Sequence, residues 1–237
     1  MVAVGGRPLR PHGVCHAPLK TRCFWTAVDI LVRVMMLEGT INLGFEVSRA
    51  GGATWQRRSM EGVDFHTLAI APSNPDIFYG FATSGQQGLS KTEDGGNSWS
   101  SLAAEGLTDA PFEFAVASPK PDHIFTITQV GLFESTDGGQ TWSLIPDTAD
   151  APLTILGALP EDGPNRLVGY QITPSTESFV RSEDAGQSWE SLGSSEMEDL
   201  VLHMVTAPSD LSMLYAATEQ NQAYQSSDRG KTWAVMN

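Results

Sequence analysis

The sequence predicts an all-β chain built as four-stranded β-propeller blades, and three observations predict it. An eight-residue box recurs four times with its aspartate kept. The tryptophans that close successive boxes, counting a weaker first copy, are 44, 43, 47 and 44 residues apart, the length of one blade. Each interval between them reads as alternating strand-like stretches separated by proline and glycine turns.

The best-kept box is Ser135-Thr136-Asp137-Gly138-Gly139-Gln140-Thr141-Trp142. It returns as Thr92 to Trp99 around Asp94, as Ser182 to Trp189 around Asp184, and as Ser226 to Trp233 around Asp228. A fifth copy, Ser48 to Trp55, has Ala50 where the others have aspartate. Asp-Gly-Gly between strands demands a tight turn with positive φ, which glycine adopts without a Cβ clash. The aspartate can accept bonds from the turn's own amides, and the tryptophan can return to the apolar layer between blades. The box residues Asp94, Trp99, Asp137, Trp142, Asp184, Trp189, Asp228 and Trp233 therefore read as structural staples, and the turn at Ala50 as a looser one.

The remaining stretches fit one blade plan. Innermost strands end at a proline turn, as in Thr67 to Pro72, Phe114 to Pro119 and His203 to Pro208. A second strand follows at Ile77 to Gly80, His123 to Thr126, Leu167 to Tyr170 and Met213 to Ala216. The third carries the box serine or threonine, and the fourth begins at the tryptophan. Four blades span about 60–237, with half a blade at 41–59. Residues 1–40 carry five basic side chains against two acidic ones, net +3, which leaves −17 for the remainder of a chain whose total is −14. This reversal, with Pro8, Pro11 and Pro18 and no repeat, marks a segment expected to be disordered or to stem from a misassigned start. On that count the blades form an incomplete, open arc whose exposed edges favour self-association.

Composition narrows the function. An acidic chain with a pI near 4.6 is repelled by nucleic acid and by anionic membranes. No apolar run reaches the ~18 to 20 residues that cross a bilayer as a helix. Cys15 and Cys23 both precede the repeats, so packing rather than disulfides must hold the blades. No phosphate loop, dinucleotide fingerprint, zinc helix or nucleophile elbow is present, and no cofactor is expected.

The boxes resemble the Asp-box, or BNR, repeats of the sialidase superfamily, found also in sortilin-type receptors, cellulose-degrading propellers and photosystem assembly factors. The phrase Val63-Asp64-Phe65-His66-Thr67-Leu68 is similar to small bacterial envelope propellers named glycosyl hydrolases by homology. That resemblance implies a cell-envelope or extracellular location, although no clear signal peptide is visible. A sialidase, as the resemblance implies, needs three arginines on separate blades to clamp a carboxylate. No arginine lies between Ser59 and Asn165. Arg49, Arg57, Arg58, Arg166, Arg181 and Arg229 do not supply a triad, so sialidase chemistry is not expected.

A generic glycosidase needs two carboxylates about 5 to 10 Å apart. Asp64, Glu113 and Asp199 stand near the starts of innermost strands, where a channel mouth would gather them, and His66 lies beside Asp64. These four are the candidate rim for binding a ligand. His66 and His203 lie six and five residues before their prolines, so the pleat turns them to opposite faces and no metal site is expected. The sequence thus favours a non-catalytic binding or assembly propeller for a protein or glycan, with a glycoside hydrolase using rim carboxylates as the alternative.

Overall fold

In the computed structural model the backbone is described for residues 19–25, 31–37, 42–50 and 53–236, except 118, 147, 149–152, 160–165, 174–176, 195–196, 198, 208–209 and 211, with side chains from residue 46 onward save that of 194. Among the described residues all regular structure is β, in five antiparallel four-stranded sheets, each following chain order from one edge to the other. Among the described residues no helix is long and apolar enough to cross a membrane. The fold is that of β-propeller blades, and it divides into two compact units, Met1–Ala103 and Ala104–Asn237.

The first unit holds two sheets. One comprises β1 (Leu19–Trp25), β2 (Leu31–Leu37), β3 (Asn42–Ser48) and β4 (Gln56–Arg57). The other comprises β5 (Asp64–Ile70), β6 (Phe78–Ser84), β7 (Gly88–Thr92) and β8 (Ser100–Ser101). The half blade at 41–59 is the outer half of a four-stranded sheet, because β1 pairs with β2 from Leu19↔Leu37 to Trp25↔Leu31, and β2 pairs with β3. The segment 31–37 is almost wholly apolar and β-branched in part, which suits a strand, but no proline turn marks it as the others are marked. Val47 of β3 packs with Val63, Phe65, Leu68, Ile70 and Phe78 in one apolar cluster, joined by Met60 and Trp99.

The second unit holds three sheets: β9 (Glu113–Val116) to β12 (Ser143–Leu144) through β10 (Ile124–Thr128) and β11 (Gly131–Ser135); β13 (Leu153–Ala158) to β16 (Glu190–Ser194) through β14 (Leu167–Ile172) and β15 (Glu177–Ser182); and β17 (Val201–Thr206) to β20 (Ala234–Val235) through β18 (Leu214–Thr218) and β19 (Ala223–Ser226). The first strands of these blades are neighbours, β13 lying against both β9 and β17.

Apolar layers join consecutive blades. Phe125, Ile127 and Leu132 of one blade pack with Leu153, Leu156, Leu167 and Val180 of the next. Val168, Tyr170 and Phe179 in turn pack with Val201, Met204 and Leu214. Burying such side chains contributes about 1.5 to 3 kcal/mol each, which offsets the entropy of ordering strands that carry no disulfide.

The first strands β5, β9, β13 and β17 end at turns closed by one backbone bond. The amide of Ala71 donates to the Ile77 carbonyl at 2.9 Å, and the same closure recurs as Ala117 to His123 at 2.8 Å, Leu159 to Arg166 at 2.8 Å and Ala207 to Met213 at 2.9 Å. This shared bond gives these four blades a common register, from which equivalent positions can be counted.

Candidate functional site

The four kept boxes are built alike. Asp137 Oδ1 accepts the amides of Gln140 and Thr141 at 3.0 and 2.9 Å and the Ser135 hydroxyl at 2.9 Å, while Oδ2 accepts the Thr141 hydroxyl at 2.6 Å. The Ser135 oxygen accepts the Gly139 amide at 2.9 Å. Asp94, Asp184 and Asp228 repeat the pattern with Ser98, Ser188 and Thr232. The turn's third and fourth connecting amides thus satisfy a side chain on their own loop rather than water.

The box also docks on its blade. The Gly95, Gly138 and Arg229 amides donate to the carbonyls of Asp76, Asp122 and Ser212, which lie between the blade's first and second strands. Trp142, Trp189 and Trp233 return their indole N–H to the carbonyls of Gly139, Gly186 and Gly230 at 3.0 to 3.1 Å. Trp99 packs on Phe65 with ring centroids 5.0 Å apart, and Trp233 stacks on Phe179 of the preceding blade at 4.4 Å. In the fifth copy Ala50 removes the carboxylate. The turn there keeps an Ala50 amide to Ser48 Oγ bond at 3.3 Å, and Arg49 forms an ion pair with Asp76.

Two consecutive residues of each kept box are left-handed. In the first two they are both glycine, but Ala185 (φ 62°) and Arg229 (φ 64°) take the first place in the others. Arg229→Gly is expected to raise stability by about 0.5 to 1 kcal/mol by relieving that backbone cost. Ala185→Gly should gain less, because the Ala185 methyl is buried in the inter-blade layer. Denaturant midpoints of the two variants check the difference.

The carboxylates titrate as staples should. The Ser98 hydroxyl and amide bonds draw Asp94 down to about 2, and the corresponding Thr141 bonds hold Asp137 below the usual carboxylate range. A depressed folded-state value means stability that is present above the unfolded value, near pH 4, and is lost as the pH falls through the folded one. Asp137→Ala should cost about 1 to 2 kcal/mol at neutral pH, and acid unfolding of the variant should begin from a lower plateau. An unchanged melting midpoint would contradict this.

The candidate rim residues stand in unlike places. In the first unit, Asp64 opens β5 and is half-buried, and His66 is exposed where the β5–β6 register shifts. In the second unit, Glu113 opens β9 and Asp199 lies ahead of β17. Counted back from the closing amide, Glu113 is four residues before Ala117 and Asp199 eight before Ala207, so the two are not equivalent positions. His203, four before Ala207, shares the Glu113 position and is exposed.

Both carboxyls are engaged. Asp199 Oδ2 accepts the Gln220 amide at 2.6 Å and Oδ1 the Leu200 amide at 2.9 Å, and the Gln220 bond leads in holding its carboxyl below the usual range. Glu113 reaches across to the next blade, where its Oε2 accepts the Leu156 amide of β13 at 3.0 Å. Burial pushes this carboxyl up to about 8, against the smaller pull of the amide. A counterpart of Asp199 escapes a reading of the sequence: Asp109 holds the Gln129 amide at 3.1 Å and the Ala110 amide at 2.8 Å, two blades earlier. The recurrence of aspartate 20 and 21 residues ahead of a turn glutamine was the available signal.

A cavity beside β10 and β11 encloses about 10 Å³ between Ile127, Thr128, Leu132, Thr148 and Leu153, room for about one water. Its Thr148 hydroxyl already accepts the Leu132 amide and donates to the Ile145 carbonyl. Among the described residues no group of three histidine, cysteine or acidic side chains is placed to hold a metal.

The family model for the BNR/Asp-box repeat matches residues 133–144, the strand, turn and tryptophan of the best-kept box. The chain carries the Asp-box repeat. No curated protein is similar to this Asp-box chain in sequence. Among solved structures, the GH74 enzyme of Niastella koreensis is similar at 17% identity over 87% of this chain and 36% of its own, with a TM-score of 0.57. The GH74 xyloglucanase of Xanthomonas campestris is similar at 17% identity over 88% and 36%, with a TM-score of 0.56. A chain of the nidogen/laminin complex is similar at 11% identity over 92% and 78%, with a TM-score of 0.60. At such identities the likeness is one of fold, and the Asp-box chain spans about a third of the length of the two enzymes.

Proposed function

We propose that this Asp-box chain is a non-catalytic binding or assembly module that recognises a protein, with a glycan as the second class of ligand, through the loops at one end of its blades. The observation that carries the reading is the engagement of the candidate carboxyls. Asp199 is bonded to two backbone amides, and Glu113 is turned into the neighbouring blade, so both serve packing before chemistry. Four of the described arginines point the same way. Arg49 pairs with Asp76, Arg58 with Asn97, Arg166 with Glu183, and Arg181 with Glu183 and Glu190. Side chains already paired in this way are poorly placed to clamp a substrate carboxylate. A second copy of the chain is a further partner this reading admits.

One observation favours the rival reading of a glycoside hydrolase. A carboxyl held protonated near neutrality, as burial holds Glu113, is what a general acid requires. It would need an ionised carboxylate facing it across a sugar. The two readings separate in one assay, in which the purified chain is incubated with xyloglucan and with a panel of aryl glycosides between pH 5 and 7. No bond cleavage is expected. Hydrolysis that disappears in Glu113→Gln, with the melting curve retained, would overturn the binding reading.

A further inference from the structure

In the second unit the basic side chains gather at one end of the strands. Residues 104–237 contain five basic side chains, Lys120, Arg166, Arg181, Arg229 and Lys231. All five stand at the end that carries the boxes and the turns between first and second strands: Lys120 before β10, Arg166 before β14, Arg181 beside the box glutamate Glu183, and the last two within a box. At the opposite end, where first strands begin and second strands turn into third, the charges are acidic. Asp109 and Asp199 sit there on the Gln129 and Gln220 amides, Glu177 opens β15, and Glu219 lies in the turn between β18 and β19. Glu177 and Glu219 are exposed.

That acidic end also exposes apolar side chains at two of three equivalent positions. Five residues before the closing amides of Ala117, Leu159 and Ala207 stand Phe112, Thr154 and Leu202, on three neighbouring strand starts. Phe112 donates its amide to the Ile127 carbonyl, which brings it to the end of β10, beside the turn that carries Val130. Phe112, Val130 and Leu202 are 48%, 42% and 44% exposed, whereas the residues one place further back, Pro111, Leu153 and Val201, are buried. Exposed large apolar side chains ringed by charge of one sign mark a recognition surface.

We propose that this end of the second unit binds an extended segment of a partner protein in which basic residues alternate with apolar ones. The apolar side chains would cover Phe112 and Leu202, and the basic ones would meet Glu177, Glu219, Asp109 and Asp199. Charge complementarity selects this occupant over the same end of a second copy, since residues 41–237 carry a net charge of −17 and two acidic ends repel. The inference deepens the binding reading above and rests on it.

The test uses the full chain and three fluorescent dodecapeptides, one alternating Arg/Lys with Leu/Phe, one with Glu in place of the basic residues, and one with Ser in place of the apolar ones. Anisotropy is expected to show the basic-apolar peptide binding at least tenfold more tightly than either control. Phe112→Ser with Leu202→Ser should weaken it at least fivefold with an unchanged melting midpoint, and E177Q with E219Q should weaken it and flatten its salt dependence. Equal binding of the three peptides, or indifference to both pairs of substitutions, would overturn the inference. So would self-association that Phe112→Ser with Leu202→Ser abolishes, because the surface would then belong to a second copy. Glycoside cleavage in the earlier assay would instead remove the binding reading itself, which keeps the two failures apart.

Discussion

Gly186→Ala is expected to lower stability by about 2 to 4 kcal/mol, adding the backbone cost of a left-handed residue to the cost of overpacking. Gly186 has φ 83°, and a Cβ there would lie 2.7 Å from Leu132 Cδ2 and 3.3 Å from Ile145 Cδ1, both side chains of the preceding blade. Leu132 and Ile145 are themselves buried in the inter-blade layer and have little room to yield. Gly88 makes the control, since it too has positive φ but faces open space. Its alanine variant should show the backbone cost alone, about 1 to 2 kcal/mol. Equal losses in denaturant unfolding would mean that the box does not pack against the preceding blade.

Glu113→Gln should produce the largest pH-dependent gain. The carboxyl is raised to about 8 in the folded chain, against roughly 4.3 for glutamate in an unfolded one. A raised folded value means that its contribution is fully favourable below the unfolded value and is lost as the pH rises toward the folded one. Wild-type stability therefore falls from about pH 4.5 to pH 8, each unit of difference being worth about 1.4 kcal/mol. Glutamine can accept the same Leu156 amide without a charge to bury, so the variant should hold its plateau and be several kcal/mol more stable than wild type at pH 8. Urea midpoints at pH 5 and pH 8 check this. Parallel declines in both proteins would show that Glu113 is not desolvated.

What could be read from the sequence was whatever is local. The aspartate of each box bonds to atoms two to four residues away, and the proline turns close over a few residues, so box, turn and strand order were all visible in short windows. The blade period followed from the tryptophans. The strands at 19–25 and 31–37 were not visible, because Leu31–Leu37 lacks both the proline turn and the alternation that marked other blades. The environment of the candidate site was also hidden. Glu113 finds its hydrogen-bond partner in Leu156, 43 residues away on a strand whose register shifts between Leu153 and Ile155. Asp199 looks like a free rim charge until the turn at Gln220 folds back on it. A carboxylate's role depends on long-range partners, and spacing along one strand does not report them.

Amide hydrogen exchange on the intact chain tests the box staple most directly. The amides of Gly96, Gly139, Gly186 and Gly230 donate to the box hydroxyls, and those of Ser98, Thr141, Ser188 and Thr232 donate to the box carboxylates. They are expected to be protected to the level of the strands they join, and Ala50 and Ala53 in the copy that lacks the carboxylate to exchange much faster. Equal protection in all five turns, or fast exchange at Thr141 while β10 and β11 stay protected, would contradict the box carboxylate as the staple of its blade.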